Sequence, residues 1–345
     1  MPSPRCRGVR SLPALLILAA LTAAAPARAV EGTAIAKPGA ATALRSYAGW
    51  SAWQRIDDGR YVLQVRSPGG RITDRPETAR VEDPLNPESE AIGFDLGPDA
   101  GGHPSLLVDV CAGGTCSLGI ARLPAGRVRR IGGTAHRGHA ASMTLWRGRV
   151  AWADGKGAVH LRPAAGTAPR VLAAWPARLC LGELGGGGCV ARSAATVEEL
   201  ELRGRLLASV VHFFTKTQGG FDTARLELFD TTTGHRHVED EVIAGEGGQT
   251  FLAPAFPDAR TLSWLLTCTG DPGGCSRRMG VYRRDLRTSR VTFARDQTQR
   301  EGWAPIGGRA TLLGPGRDAC GGETPGACAI RLRTLRFAPV AIRHG

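Results

Sequence analysis

Six times along this 345-residue chain, a short apolar stretch reaches a Gly- or Asp-containing turn and restarts as a second apolar stretch. The copies are Ala48-Gly49-Trp50-Ser51-Ala52-Trp53, Gly97-Pro98-Asp99-Ala100-Gly101-Gly102, Arg147-Gly148-Arg149-Val150-Ala151-Trp152, Arg203-Gly204-Arg205-Leu206, Pro257-Asp258-Ala259-Arg260-Thr261-Leu262 and Gly307-Gly308-Arg309-Ala310. Between the equivalent turn positions 49, 101, 148, 204, 259 and 308 the steps are 52, 47, 56, 55 and 49 residues. A period of that length made of short strands is the mark of a β-propeller, where each repeat is one four-stranded blade. The spacing predicts an all-β chain forming a single propeller of six blades. Seven is the alternative, because the first and last repeats are the least regular.

A second hairpin follows each opening turn. Tyr61-Val62-Leu63-Gln64-Val65-Arg66 leads into Gly69-Gly70, and Ala224-Arg225-Leu226-Glu227-Leu228-Phe229-Asp230 into Thr233-Gly234. Apolar and polar residues alternate in most of these stretches, the pattern of a strand with one face packed on a neighbouring sheet. No segment holds a 3.6-residue apolar period, so helix is expected to be scarce. Residues 30–45 precede the first turn and contain Ala34-Ile35-Ala36. This N-terminal segment is expected to add a strand to the last blade, closing the ring and removing free sheet edges.

The turn Phe256-Pro257-Asp258-Ala259-Arg260-Thr261-Leu262-Ser263-Trp264, with the looser Gly97-Pro98-Asp99, resembles the WD-repeat-like propeller repeats of the TolB type. Those carry a Ser-Pro-Asp-Gly-like turn, a basic residue and an aliphatic-x-aromatic strand. The resemblance implies the propeller fold. TolB has a separate α/β domain and works in an envelope complex, and no segment ahead of these repeats matches that domain.

The first residues read as a targeting segment. Arg5, Arg7 and Arg10 make a positive start, Leu12 to Leu21 an apolar run, and Ala27-Arg28-Ala29 a small-x-small cleavage site. Residues 1–29 are thus expected to be a signal peptide and 30–345 the propeller domain, secreted or extracytoplasmic. The apolar run is shorter than the ~20 residues a membrane-spanning helix needs, so no anchor is expected after cleavage.

Eight cysteines follow the signal, in four close pairs: Cys111 and Cys116, Cys180 and Cys189, Cys268 and Cys275, Cys320 and Cys328. An even set in an exported chain reads as disulfides. The intervening x4, x8, x6 and x7 are mostly wider than those of zinc knuckles, so no metal site is expected. Three of the pairs fall between the second and third strands of a blade. Cys180 and Cys189 fall between two blades. All four therefore staple one rim of the propeller, which also carries the longest loops.

The formal charge is +13, and loss of Arg5, Arg7, Arg10 and Arg28 leaves +9. The arginines are dispersed, with no dense run, so nucleic acid is not an expected partner. A protein or a cell-envelope polysaccharide or other polyanion is, and a continuous arginine face with salt-sensitive binding is what an electrostatic polyanion binder would show.

No nucleophile elbow, His-Glu-x-x-His, phosphate loop or calcium loop is present, and no cofactor is expected. Within the stapled rim His212, Phe213, Phe214, Phe221 and Asp222 form the candidate binding cluster, since aromatics can stack on sugars or peptides. Carboxylates such as Asp95, Asp99, Glu198, Glu199, Asp258 and Asp271 are scattered. The expected function is non-enzymatic binding or scaffolding by an exported monomer through its stapled loop face. The alternative is a glycan-active hydrolase or lyase with carboxylates in the central channel.

Overall fold

The computed structural model describes residues 33–39, 42–81, 93–112, 114–164, 168–175, 178–180, 189–215, 222–244, 248–268, 275, 277–296, 302–307, 310–314 and 328–340. All belong to one compact unit, Gly32–Gly345. The described residues form strands and turns without a helix, arranged as six antiparallel sheets in a β-propeller.

Blade one is β2 (Leu44–Tyr47), β3 (Trp50–Asp57), β4 (Arg60–Arg66) and β5 (Ile72–Val81), hydrogen-bonded in chain order. Blade two holds β6 (Phe94–Pro98), β7 (Pro104–Ala112) and β8 (Thr115–Arg122). Its outer strand is split into β9 (Arg129–Arg130) and β10 (His136–Arg137), both paired with β8. Blade three is β11 (Ser142–Trp146), β12 (Arg149–Ala153), β13 (Val159–Arg162) and β14 (Arg170–Ala173). In blade four, β16 (Cys189–Arg203), β17 (Leu206–Thr215), β18 (Asp222–Asp230) and β19 (Arg236–Ala244) are preceded by β15 (Arg178–Cys180), which pairs with the start of β16. Blade five is β20 (Gln249–Asp258), β21 (Thr261–Cys268), β22 (Gly280–Asp285) and β23 (Val291–Arg295). Blade six is β24 (Trp303–Gly307), β25 (Ala310–Leu313) and β26 (Ile330–Thr334).

The sixth blade takes its fourth strand from the other end of the chain. β1 (Thr33–Ala36) pairs antiparallel with β26, Thr33 opposite Leu332, so the expected closure by the N-terminal segment is what the fold uses. After β26 the chain crosses back to blade five, where β27 (Ala338–Pro339) pairs with the edge of β23. Each chain end thus covers a sheet edge that would otherwise be free.

The core is divided in the same way. Six buried clusters each lie between two consecutive blades, from the Ala52, Leu63 and Leu106 group of blades one and two to the Leu44, Trp53 and Ala304 group of blades six and one. Alternation in the strands explains this: Leu207 packs toward blade three and its neighbour Ala208 toward blade five. Trp53, Trp264 and Trp303 are fully buried in these seams.

Polar side chains add a link at each seam. Leu145 N donates to Asp95 Oδ2 at 2.8 Å between blades two and three, and Leu202 N to Thr144 Oγ1 at 2.9 Å between three and four. Arg203 Nη1 donates to the Phe256 carbonyl at 2.5 Å, tying four to five. Arg333 lies 3.5 Å from Asp296 between five and six. Ser46 Oγ donates to the Pro305 carbonyl across the closing seam, and Arg45 Nε sits 3.8 Å from Asp95 between one and two.

Candidate functional site

The innermost strands of a propeller line its channel, and here they bring charge together that is far apart in sequence. In β16 the apolar positions Val197, Leu200 and Leu202 pack in a seam. Glu199, Glu201 and Arg203 alternate with Leu200 and Leu202, so they share the opposite face. Arg45 of β2 and Asp95 of β6 come from the facing blades. Arg45 pairs with Glu199 across the channel and also faces Asp95; all three side chains are nearly buried. Asp95 and Glu199, scattered in sequence, therefore converge on one guanidinium.

Two carboxyls here hold protons unusually well. Burial raises the Asp95 carboxyl to about 6, opposed by the Arg45 charge and the Leu145 N–H. Burial also holds the Glu201 carboxyl well above the ordinary range, with the neighbouring Asp95 charge adding to it and Arg45 and Arg203 opposing. Burial therefore favours the protonated form of Glu201.

Above this cluster the channel opens into a cavity of about 300 Å³ with walls from all six blades. Tyr47, Trp146 and Phe256 supply aromatic surface, while Glu201 and Arg203 supply the polar groups. Arg203 lies 4.9 Å over the Trp146 ring, and Tyr47 meets the same ring edge-on at 6.0 Å. A second cavity of about 290 Å³ lies between blades two and three on the same rim, beside Arg122, Arg129 and Arg162.

This rim differs sharply in charge from the other. Eleven turns join strands on the side where the cavity opens, and among the described residues they carry seven arginines against one acid, Asp99. Among the described residues, the connections on the opposite rim carry three acids, Asp58, Asp154 and Asp296, and four bases, Lys37, Lys156, Arg277 and Arg278. Antiparallel alternation sorts residues in this way, so arginines without any local run gather on one face. Arg71, Arg127, Arg147, Arg205, Arg260 and Arg287 are all exposed there. Asp99, and the aspartates that end strands beside these turns, are turned inward to the turns: Asp99 accepts from Gly101 N and His103 N and pairs with Arg122. Those N–H groups and Arg122 overcome the carboxyl's partial burial and hold it near 2. Asp258 accepts from Arg260 N and Asp285 from Arg287 N and Thr288 N.

The described cysteines lie on the opposite rim. Cys111–Cys116 and Cys268–Cys275 are disulfides. Cys180 and Cys189 face each other in the β15–β16 register. Cys328 is disulfide-bonded, and Cys320 lies outside the described residues. Of the aromatic cluster, Phe213 is fully buried between blades three and four, and Phe214 is exposed. Half-buried His212 lies 3.6 Å from Glu198 and edge-on to Phe214. Asp222 opens β18, while Phe221 and Asp271 lie outside the described residues. His237, Glu239, Asp240 and Glu241 do not converge on a metal; they pair with one another or with Arg284, Arg277 and Arg225.

Sequence reasoning missed Arg45, Glu201 and Arg203. A signal was present for the last two: polar residues at alternate positions of a strand whose intervening leucines are core.

No family model matches the chain, and no curated protein matches it. It is similar to a solved protein of unknown function from Bacteroides thetaiotaomicron VPI-5482, at 9% identity over 88% of this chain and 72% of that one, with a TM-score of 0.47. It is also similar to a GH74 xyloglucanase from Xanthomonas campestris (12% identity, 85% of this chain and 46% of that one, TM-score 0.44). A third is YCF48 from Cyanidioschyzon merolae (12% identity, 88% of this chain and 98% of that one, TM-score 0.39). At these identities the likeness concerns chain path alone, and the six-bladed propeller stands on its own strand pairings.

Proposed function

We propose that this is an exported, non-enzymatic binding propeller that holds an anionic cell-envelope polymer on its arginine-bearing rim, with part of the ligand entering the channel mouth. The charge asymmetry between the two rims carries this reading. An anionic chain is attracted to exposed arginines spaced around a ring. Glu201 lines the same cavity beside Arg203, and its burial disfavours the charged form that would repel an anion. Recognition expected on the stapled rim thus moves to the opposite one, where the cavity is.

The proposal is tested by co-sedimentation of the oxidised mature protein with envelope fractions and with a defined acidic polysaccharide, at ~0.1 M and ~1 M salt. Binding that falls steeply with salt and is lost in an R127E/R147E/R205E triple variant is the expected result. Binding indifferent to those substitutions but lost on Phe214→Ala would return recognition to the stapled rim.

Burial makes the Asp95 and Glu201 carboxyls weaker acids, which favours one second reading, a glycan hydrolase. That chemistry needs two carboxyls about 5–10 Å apart flanking a sugar. Glu201 faces the cavity, whereas Asp95 and Glu199 are engaged by Arg45. Release of reducing ends from an envelope glycan, abolished by Glu201→Gln, would establish the hydrolase instead.

A further inference from the structure

On the rim of blade two opposite the cavity, an aspartate, two cysteines and two histidines meet in a way that neither the propeller nor the binding reading uses. Asp109, Cys111, Cys116 and His139 each offer one ligand atom, and the four atoms lie within 4.8 Å of one another. His139 Nδ1 is 3.3 Å from Cys111 Sγ and 3.3 Å from Asp109 Oδ2. Two thiolates, an imidazole nitrogen and a carboxylate oxygen are the donors a tetrahedral zinc ion takes, at ~2.0–2.3 Å from the metal and hence about 3.5 Å from each other. Among the described residues it is the one such grouping. In this structure the two sulfurs are bonded to each other, so they are not available as thiolates.

We infer that this cluster is a latent site for a borderline-soft divalent cation, Zn²⁺ above all, opened when the Cys111–Cys116 disulfide is reduced. The step is a thiol–disulfide exchange with a dithiol reductant. The dithiol gives up two electrons and two protons and closes to its own disulfide, and the Cys111–Cys116 bond opens to two thiols. Zn²⁺ then displaces the two thiol protons into solvent and joins two thiolates, His139 and Asp109.

The geometry that makes this workable does not depend on the disulfide. Cys111 and Cys116 are directly opposed in the β7–β8 ladder, flanked by the pairs Val110 with Ser117 and Ala112 with Thr115. That ladder keeps the two sulfurs together after reduction. His139 is delivered by the strand on the other side of β8, where β10 pairs His136 with Cys116 and Arg137 with Thr115. The next residue, Ala140, donates its N–H to Asp109 Oδ2 at 2.9 Å, which fixes the chain beside the carboxylate.

His136 supplies the supporting contact that metal ligands ordinarily have. Its Nε2 lies 3.2 Å from the other carboxylate oxygen, Asp109 Oδ1, and its Nδ1 donates to the Thr134 carbonyl at 2.8 Å. Its side chain is only 5% exposed, so the support is locked in the core. Cys111 and His139 are half-buried at the rim, leaving a path for the reductant and the ion.

The test is titration of the full mature protein with Co²⁺, then Zn²⁺, before and after reduction with a water-soluble phosphine, which leaves no competing thiol. The reduced protein is expected to develop the visible absorption of tetrahedral, thiolate-bound Co²⁺, displaced by one equivalent of Zn²⁺; the oxidised protein is expected to develop none. The C111S/C116S double variant removes that signal while the other cysteine pairs remain. His139→Gln keeps the side chain's bulk and is expected to weaken binding at least tenfold. His136→Asn acts on the supporting contact, for which 10–100-fold losses are typical. Circular dichroism establishes that each variant is folded. A reduced protein that takes up no cobalt overturns the inference. So does cobalt uptake by the oxidised protein, or a His139→Gln variant that titrates like the wild type.

Discussion

Arg45 meets carboxylates from two other blades in a space nearly closed to water, and this controls what substitutions there do. Its guanidinium and Glu199 are 11% and 9% exposed in their side chains. Removing one member of a buried pair leaves the other charge uncompensated, a loss of about 3–5 kcal/mol. Glu199→Gln is therefore expected to lower the unfolding free energy by that amount at neutral pH, measured by guanidinium titration. Glu201→Gln removes a carboxyl whose burial already disfavours its charge, and is expected to lower the same unfolding free energy less than Glu199→Gln does. Asp95 has its folded-state carboxyl raised from 3.8 to about 6. The native chain thus keeps this proton over a range where the unfolded chain has released it. Its contribution to stability is fullest below pH 3.8 and declines as pH rises through 6. The stability of the wild type minus that of Asp95→Asn is expected to fall between pH 4 and 7, and a flat difference would refute the assignment. None of this was legible residue by residue. Arg45 and Glu199 are 154 positions apart, and nothing local marks either as the other's partner.

The strands were far more legible than their junctions. Alternation in Tyr61–Arg66 or Ala224–Asp230 is a local property of six or seven residues, whereas the closeness of one blade to the next is not written in either. Gly97 shows the difference. It sits in β6 against β11, and a Cβ placed there would come 1.9 Å from the Leu145 carbonyl oxygen. The obstacle is backbone, so no rotamer relieves it. Gly97→Ala is expected to cost at least the ~1–3 kcal/mol of an overpacked core, read as a lowered guanidinium midpoint. Gly155, where an added Cβ meets nothing within 4 Å, is the matched control, and Gly155→Ala is expected to leave the midpoint unchanged. The arginines show the same limit of local reading. Arg127, Arg205 and Arg260 share a rim only because each follows a strand that ends on that side.

At the scale of the whole molecule, stability rests on a seam joining the two ends of the chain. β1 pairs with β26 through Thr33, Ala34 and Ala36, and Ile35 and Ala36 pack against the cluster of blades six and one. Deleting residues 33–36 is expected to lower Tm by several degrees, seen by calorimetry. An unchanged Tm would mean that the seam contributes no stability. Sixfold repetition made the ring legible in the sequence, because the period recurs whether or not any one repeat is regular. The channel cluster escaped the same reading because it takes one or two residues from each of several repeats and so has no period.

Closure by β1 also has a consequence in time. This strand is the first of the described strands to be synthesised, and its partner β26 is almost the last. At ~5–20 residues per second the segment waits for tens of seconds as an unpaired strand, open to pairing with any other chain. Lys37 and Pro38 follow it directly. A charge and a residue without a backbone N–H are the devices that blunt an open strand edge. The segment that seals the finished ring thus carries its own protection for the interval before there is a ring to seal.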